Sequence, residues 1–275
     1  MKALWYVRQE VRNFLKRQSF RKLRHPEIAH ELKTKGVFAI PDFLSANTCA
    51  ELRGEIDRLI HKYEKEIWTD PVGCDRRIFG ANEFSEGLNQ YFKNEFIRDV
   101  ILDFENGSEI KGFTMAARLD YKPGNLGSGN GWHRDSAFYS QTKSIIYLSN
   151  ANLENGPFEY IIGSQSPAAF VRGWMKKKDR LDKYRFTDED VASYLSDFPE
   201  QKSIKFPAKE GTLLFADTRG IHRGSPIQTG TRYAATNYFF VKVDPPAHLL
   251  EATVSHKIGK NAGKNADNND SSAGT

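Results

Sequence analysis

From residue 110 onward the chain breaks into short apolar runs separated by turn residues, a β rhythm in a length of 275 residues that suits one all-β or α/β domain with decoration, or two small domains. Ile110 to Tyr121, Ser144 to Ser149, Phe158 to Ile162, Thr212 to Ala216 and Arg232 to Val243 read as strands. Between them stand Lys122 to Asn130, Asn155-Gly156, Lys209-Glu210-Gly211, Asp217 to Gly220 and Thr229-Gly230, all turn or loop signals. A closed antiparallel barrel built from such strands brings residues distant in sequence side by side. The 19 Phe and 11 Tyr are ample for its core.

The first hundred residues follow a helical period instead. Residues 1 to about 24 read as a basic amphipathic helix, with Leu4, Val7, Val11, Phe14 and Leu15 on one side and Arg8, Arg12, Lys16 and Arg17 among the remainder. Such a helix either lies on an anionic membrane surface or packs its apolar side on the domain. His25-Pro26 breaks it, and Pro26 opens a second helix over Glu27 to Lys35 that Gly36 ends. Val37 to Ile40 is a short strand. Ser45 or Asn47 caps a long helix carrying Leu52, Ile56, Leu59, Ile60 and Tyr63, with His61 on its surface. Residues 68 to 95 are mixed, and Leu88 to Ile101 reads as helix. An insertion at about 167–203 interrupts the β rhythm with Trp174, Lys176-Lys177-Lys178 and an acidic helix start at Thr187. A break this long in a β domain is often a lid or substrate loop. The organisation expected is a helix over 1–25, one domain over 26–250 and a disordered polar tail over 251–275.

Composition excludes several classes. The formal charge of +5 comes with no nucleic-acid module or phosphate-binding glycine loop, so no nucleic-acid partner is expected. Two cysteines imply no disulfide framework and a reducing cytoplasm. No apolar run is long enough to cross a bilayer, and Arg8, Glu10 and Arg12 interrupt any signal-peptide core. The location expected is cytoplasmic, with residues 1–24 as the one segment suited to peripheral membrane contact.

The chemistry concentrates in Gly131-Trp132-His133-Arg134-Asp135. In an extended segment His133 and Asp135 point to the same face. They are two-thirds of the 2-His-1-carboxylate set that holds non-haem Fe(II) and leaves coordination positions open. His222, at the end of a distant strand, is the candidate third ligand. Arg232 follows on the next strand, and a buried arginine there needs an anion, which a dicarboxylate supplies through a bidentate bond. Arg118, a basic residue in an apolar strand, either binds an anion inside the barrel or reaches the surface. Three protein ligands leave Fe(II) room for a chelating 2-oxo acid and for O2, whose joint consumption yields succinate and an oxidised substrate. A carboxylate at 135, rather than an alanine that would admit a halide, favours hydroxylation over halogenation.

These residues lie in an ordered series: Gly36-Val37-Phe38-Ala39-Ile40-Pro41-Asp42-Phe43-Leu44-Ser45, Trp132-His133-Arg134-Asp135, Asn155-Gly156-Pro157, Ile162-Gly163-Ser164, Gly211-Thr212-Leu213-Leu214-Phe215, His222-Arg223-Gly224-Ser225 and Arg232. In this the sequence resembles the phytanoyl-CoA dioxygenase family of Fe(II)/2-oxoglutarate oxygenases, from about residue 28 to 243. The resemblance implies a mainly β fold with flanking helices around a double-stranded β-helix (jelly-roll, cupin-like) core. It implies His133, Asp135 and His222 as iron ligands, Arg232 as partner of the distal carboxylate of 2-oxoglutarate, and Fe(II), 2-oxoglutarate and O2 as cofactor and co-substrates. Two positions depart from the family pattern. Ala234 stands where Ser or Thr is common, so a carboxylate hydrogen bond is expected from Thr212 or Thr236. Arg134 stands where Gln is common, and with Trp132 it is assigned to the substrate side, where its charge contacts an acidic substrate or faces solvent. The substrate expected is a small molecule, a lipid or a lipid-linked sugar, hydroxylated at an aliphatic carbon. The alternatives are a metal-binding jelly-roll protein without oxygenase activity, which Arg232 argues against, and an interaction protein that has lost its chemistry, which the intact His-Asp-His set argues against.

Overall fold

The computed structural model describes residues 23–135, 141–176, 184–241 and 243–261. The helix expected over residues 1–24 falls outside them but for its last two positions, which are not helical. Helix α1 (Pro26–Thr34) begins at the proline, whose fixed φ suits a first turn, and ends before Gly36 at φ 86°. Strand β1 (Val37–Ile40) follows. Helix α2 (Ala46–Lys62) is capped by Ser45, whose hydroxyl accepts the Thr48 N–H at 3.1 Å. The mixed stretch holds strands β2 (Trp68–Thr69) and β3 (Asp75–Phe79). The single helix expected from Leu88 is two, α3 (Glu86–Lys93) and α4 (Glu95–Glu105). Asn94 leaves helical geometry at ψ 121° and its side chain caps α4 by accepting the Ile97 N–H at 3.1 Å.

The β domain then runs through β4 (Ile110–Asp120), β5 (Trp132–His133), β6 (Thr142–Tyr147) and β7 (Phe158–Ile161). The insertion supplies α5 (Pro167–Lys176), β8 (Arg185–Phe186) and α6 (Asp188–Asp197). Thr187 and Asp190 close a reciprocal capping box on α6. Strands β9 (Ser203–Phe206), β10 (Leu213–Asp217), β11 (His222–Gly224) and β12 (Thr231–Val241) complete the core, followed by α7 (Ala247–Glu251). The polar tail begins later than 251: residues 254–261 are helical, and Val254 is fully buried because it joins the apolar layer between helices and sheet.

Two antiparallel sheets form the jelly roll. One has seven strands in the order β1-β10-β6-β12-β4-β3-β2, the other five in the order β8-β5-β11-β7-β9. On the outer face of the larger sheet, Ile78, Ala116, Ile146, Leu213, Phe215, Ala235 and Phe239 pack against Leu52, Ile56 and Leu59 of α2 and against α3 and α4. Alternation sends the other set inward: Met115, Ala117 and Leu119 of β4, Ile145 and Tyr147 of β6, and Arg232, Ala234, Thr236 and Tyr238 of β12 line a pocket.

This alternation corrects the expectation for Arg118. It shares the outward parity of Ala116 and therefore leaves the pocket. Its guanidinium donates to Asp57 of α2 at 2.9 Å and to Asp120 at 3.1 Å. Tyr233 donates to Asp57 at 2.9 Å, Thr231 to Asp120 at 2.7 Å, and Arg76 also binds Asp120. The network ties α2 to three neighbouring strands. Burial works against the Asp120 charge, but Thr231, Arg118 and Arg76 outweigh it and hold its carboxyl below the ordinary value. A depressed folded-state value stabilises the fold above the unfolded pKa of about 4, and that stabilisation disappears as pH falls through the folded value. Asp120→Asn is expected to lower the thermal midpoint at pH 7, with the difference from wild type closing at acid pH. Parallel midpoint-against-pH curves for the two proteins would remove this account.

Candidate metal centre

His133 and His222 are direct cross-strand partners of β5 and β11, so both rings leave the same face of the smaller sheet, with centroids 4.3 Å apart. Asp135 follows His133 by two residues and is tied to the turn before β11 by its N–H, which donates to the Thr218 carbonyl at 3.0 Å. The sheet thereby places the three side chains together, with one ligand atom from each within 4.8 Å of the others. Nε2 of His133 lies 3.8 Å from Asp135 Oδ1, and Nε2 of His222 lies 3.6 Å from Oδ2.

The tautomers follow from the backbone. Nδ1 of His133 is 2.9 Å from the Gly131 carbonyl, and Nδ1 of His222 is 2.9 Å from the Gly220 carbonyl. A carbonyl oxygen only accepts, so each Nδ1 carries the proton and each Nε2 presents a lone pair towards Asp135. Burial, with the neighbouring His222 ring, pushes His133 well below its ordinary value, and burial lowers His222 to about 4. Both rings are therefore neutral at pH 7. Asp135 is ionised: burial opposes its charge, but the adjacent Lys143 ammonium outweighs burial and holds the carboxyl far below its ordinary range. The Lys143 ammonium lies 2.7 Å from Oδ2 as a buried ion pair. Two neutral imidazole lone pairs and a buried carboxylate are a donor set that fits a divalent transition ion.

Arg232 occupies the same pocket. It is 4% exposed, and among the described residues its Nε has no hydrogen-bond partner and no carboxylate forms an ion pair with it. A guanidinium buried without a counter-anion is costly, which marks a place for one. The motif glycines make room for it. A methyl at Gly156 would stand 3.1 Å from Arg232 Nη1, and one at Gly224 would stand 2.9 Å from Nη2. Thr236 lines the pocket, whereas Thr212 is buried outside its lining.

Two substrate-side expectations are corrected. Trp132 points away from the pocket, because it alternates with His133. It packs with Phe186, Val191 and Tyr194, and its indole N–H donates to Asp188 at 2.9 Å. Arg134 alternates likewise. It is buried rather than solvated, with its guanidinium 4.1 Å over the Phe170 ring, and it is absent from the pocket lining. Sequence reasoning missed Lys143 and Arg77, which do line the pocket. Arg77 is held by Asp75 at 2.5 Å and donates to Ser128 at 3.0 Å. The signal for Lys143 is its place two and four residues before the inward Ile145 and Tyr147.

Comparison with known proteins places this geometry. No curated protein is similar to the chain in sequence. Among solved structures, the epimerase SnoN in complex with Fe3+, alpha ketoglutarate and nogalamycin RO is 15% identical with a TM-score of 0.60, covering 82% of this chain and 88% of that one. AviO1 from Streptomyces viridochromogenes Tue57 is 16% identical with a TM-score of 0.58, covering 82% and 99%. HygX from Streptomyces hygroscopicus, with nickel and 2-oxoglutarate bound, is 16% identical with a TM-score of 0.55, covering 81% and 88%. At these identities the likeness is one of fold. The family model for phytanoyl-CoA dioxygenase (PhyH) matches residues 32–234, a span that carries His133, Asp135, His222 and Arg232, and the chain belongs to that family.

Proposed function

We propose that the protein is an Fe(II)- and 2-oxoglutarate-dependent oxygenase that hydroxylates an aliphatic carbon of a small-molecule, lipid or lipid-linked sugar substrate. The observation that carries the reading is the buried Arg232 guanidinium, its Nε without a partner, in the same pocket as the neutral His133/His222 pair and Asp135. A metal-binding protein with no acidic co-substrate has no use for that arginine.

His133, Asp135 and His222 would hold the ion. Its chemistry, when bound, is the reductive activation of O2, with one oxygen atom leaving in succinate and the other in the hydroxylated product. The chain's own residues do the rest. The Gly131 and Gly220 carbonyls fix the imidazoles in the ligating tautomer. Arg232 binds the distal carboxylate, and Thr236 is the lining hydroxyl available to the same ligand. Ile145, Tyr147, Phe158 and Met115 supply apolar walls that exclude water. The SnoN and HygX structures were solved with nogalamycin RO and hygromycin B, which supports a small-molecule substrate here.

Anaerobic titration of Fe(II)-loaded protein with 2-oxoglutarate is expected to develop a weak visible charge-transfer band. His222→Ala should abolish it. Arg232→Met should weaken 2-oxoglutarate binding about 10- to 100-fold, the equivalent of a charge-assisted hydrogen bond of roughly 1.5–3 kcal/mol. Iron-loaded wild type without a band would rule out chelation of 2-oxoglutarate and leave the metal-binding jelly-roll reading.

Among the described residues no helix is long and apolar enough to cross a membrane. The basic residues of 1–24, interspersed with Leu4, Trp5, Val7, Val11, Phe14 and Leu15, support peripheral contact with anionic lipid. Full-length protein should co-sediment with phosphatidylserine-containing vesicles and lose that property on removal of residues 1–24; equal sedimentation of the truncated protein would discard the idea.

A further inference from the structure

Lys143 has no role in the chemistry proposed above, yet it is 5% exposed and lines the pocket. Strand β6 presents it inward opposite Tyr238 of β12. Its ammonium rests 4.1 Å from the centre of the Tyr238 ring and 2.7 Å from Asp135 Oδ2. A lysine is seldom buried unless paired, and Asp135 is the only carboxylate ion-paired with it among the described residues. The other inward cations are placed differently. Arg77 has a carboxylate of its own in Asp75, and Arg232 lies six residues from Tyr238 along β12, towards the far end of the pocket.

Asp135 is therefore asked to serve two cations. In the metal-free protein Lys143 neutralises it and spares the fold an unpaired buried charge. A divalent ion on the same carboxylate meets an ammonium already beside it, in a water-poor site where like charges repel strongly. Loss of the lysine charge acts on both sides of the equilibrium in one direction. It removes the partner that stabilises the metal-free state, and it removes the repulsion in the metal-bound state.

We infer that Lys143 is a positioning residue that holds Asp135 in the metal-free protein and competes with the metal for its carboxylate, so that the centre assembles cooperatively with 2-oxoglutarate. The last clause rests on the co-substrate reading above. A dianion satisfies Arg232 with one carboxylate and brings its second negative charge to the end of the pocket where metal and ammonium face each other.

Nickel(II), which is stable in air, is the probe. It is titrated calorimetrically into wild type and into Lys143→Met, Lys143→Gln and Lys143→Arg at one fixed pH, with and without 2-oxoglutarate. Without 2-oxoglutarate, the Met and Gln variants should bind nickel at least tenfold tighter than wild type, and the Arg variant should resemble wild type. Addition of 2-oxoglutarate should tighten wild type at least tenfold more than Lys143→Met. Should Lys143→Met fail to fold, Lys143→Gln, which keeps a donor for Asp135 without the charge, carries the comparison. Nickel binding unchanged or weaker in the uncharged variants overturns the inference, since a mere structural prop for Asp135 predicts weaker binding. If the uncharged variants bind tighter but 2-oxoglutarate changes nothing in wild type, the competition stands and the co-substrate reading fails.

Discussion

The structure depends on the register of β12. Its 11 residues pair throughout with β4 and, over half their length, with β6. Tyr233, Ala235 and Phe239 face the helices, and Arg232, Ala234, Thr236 and Tyr238 face the pocket. A slip of one residue would exchange the two sets, sending the guanidinium into the apolar layer under α2 and an alanine and two aromatic side chains into the site. The outward network of Asp57, Arg118, Asp120 and Thr231 guards against that slip, because it binds β12 and its neighbours to a helix through groups with only one workable partner arrangement. Polar groups far from the chemistry thus decide which side chains reach it.

The smaller sheet works on a tighter scale. Strand β5 is two residues long and β11 three, yet they bring His133 and His222 into direct opposition. Backbone carbonyls two residues upstream set both ring tautomers. Electrostatically the pocket is unusual in holding Arg77, Lys143 and Arg232 together against two carboxylates, Asp75 and Asp135. Such a cavity favours anionic ligands before shape is considered.

Much of this was legible from residues alone. The β rhythm after residue 110, the Ser45 and Thr187 caps, the helix start at Pro26 and the shared face of His133 and Asp135 all rest on local rules, and local rules survive folding. What was not legible depends on which buried face a residue takes. Strand β4 is apolar on both faces, with Phe113, Met115 and Ala117 on one and Ala116 on the other, so its pattern does not say where Arg118 points. The same ambiguity hid Lys143, which stands one residue before the strand expected over Ser144 to Ser149. Asn94 was hidden because apolar spacing continues across it, from Leu88 and Tyr91 to Ile97 and Val100. Alternation, applied strictly from His133, would have turned Trp132 and Arg134 away from the site.

The insertion bears on the candidate metal centre through its own short strand. Its strand β8 pairs with β5, setting Phe186 opposite Trp132 and Arg185 opposite His133, and Arg185 also binds the Gly129 carbonyl. The histidine strand would otherwise be a bare sheet edge. A change to this segment therefore also changes the flank of the strand that carries His133. A loop grafted in its place would have to be judged first by how well it makes a two-residue strand.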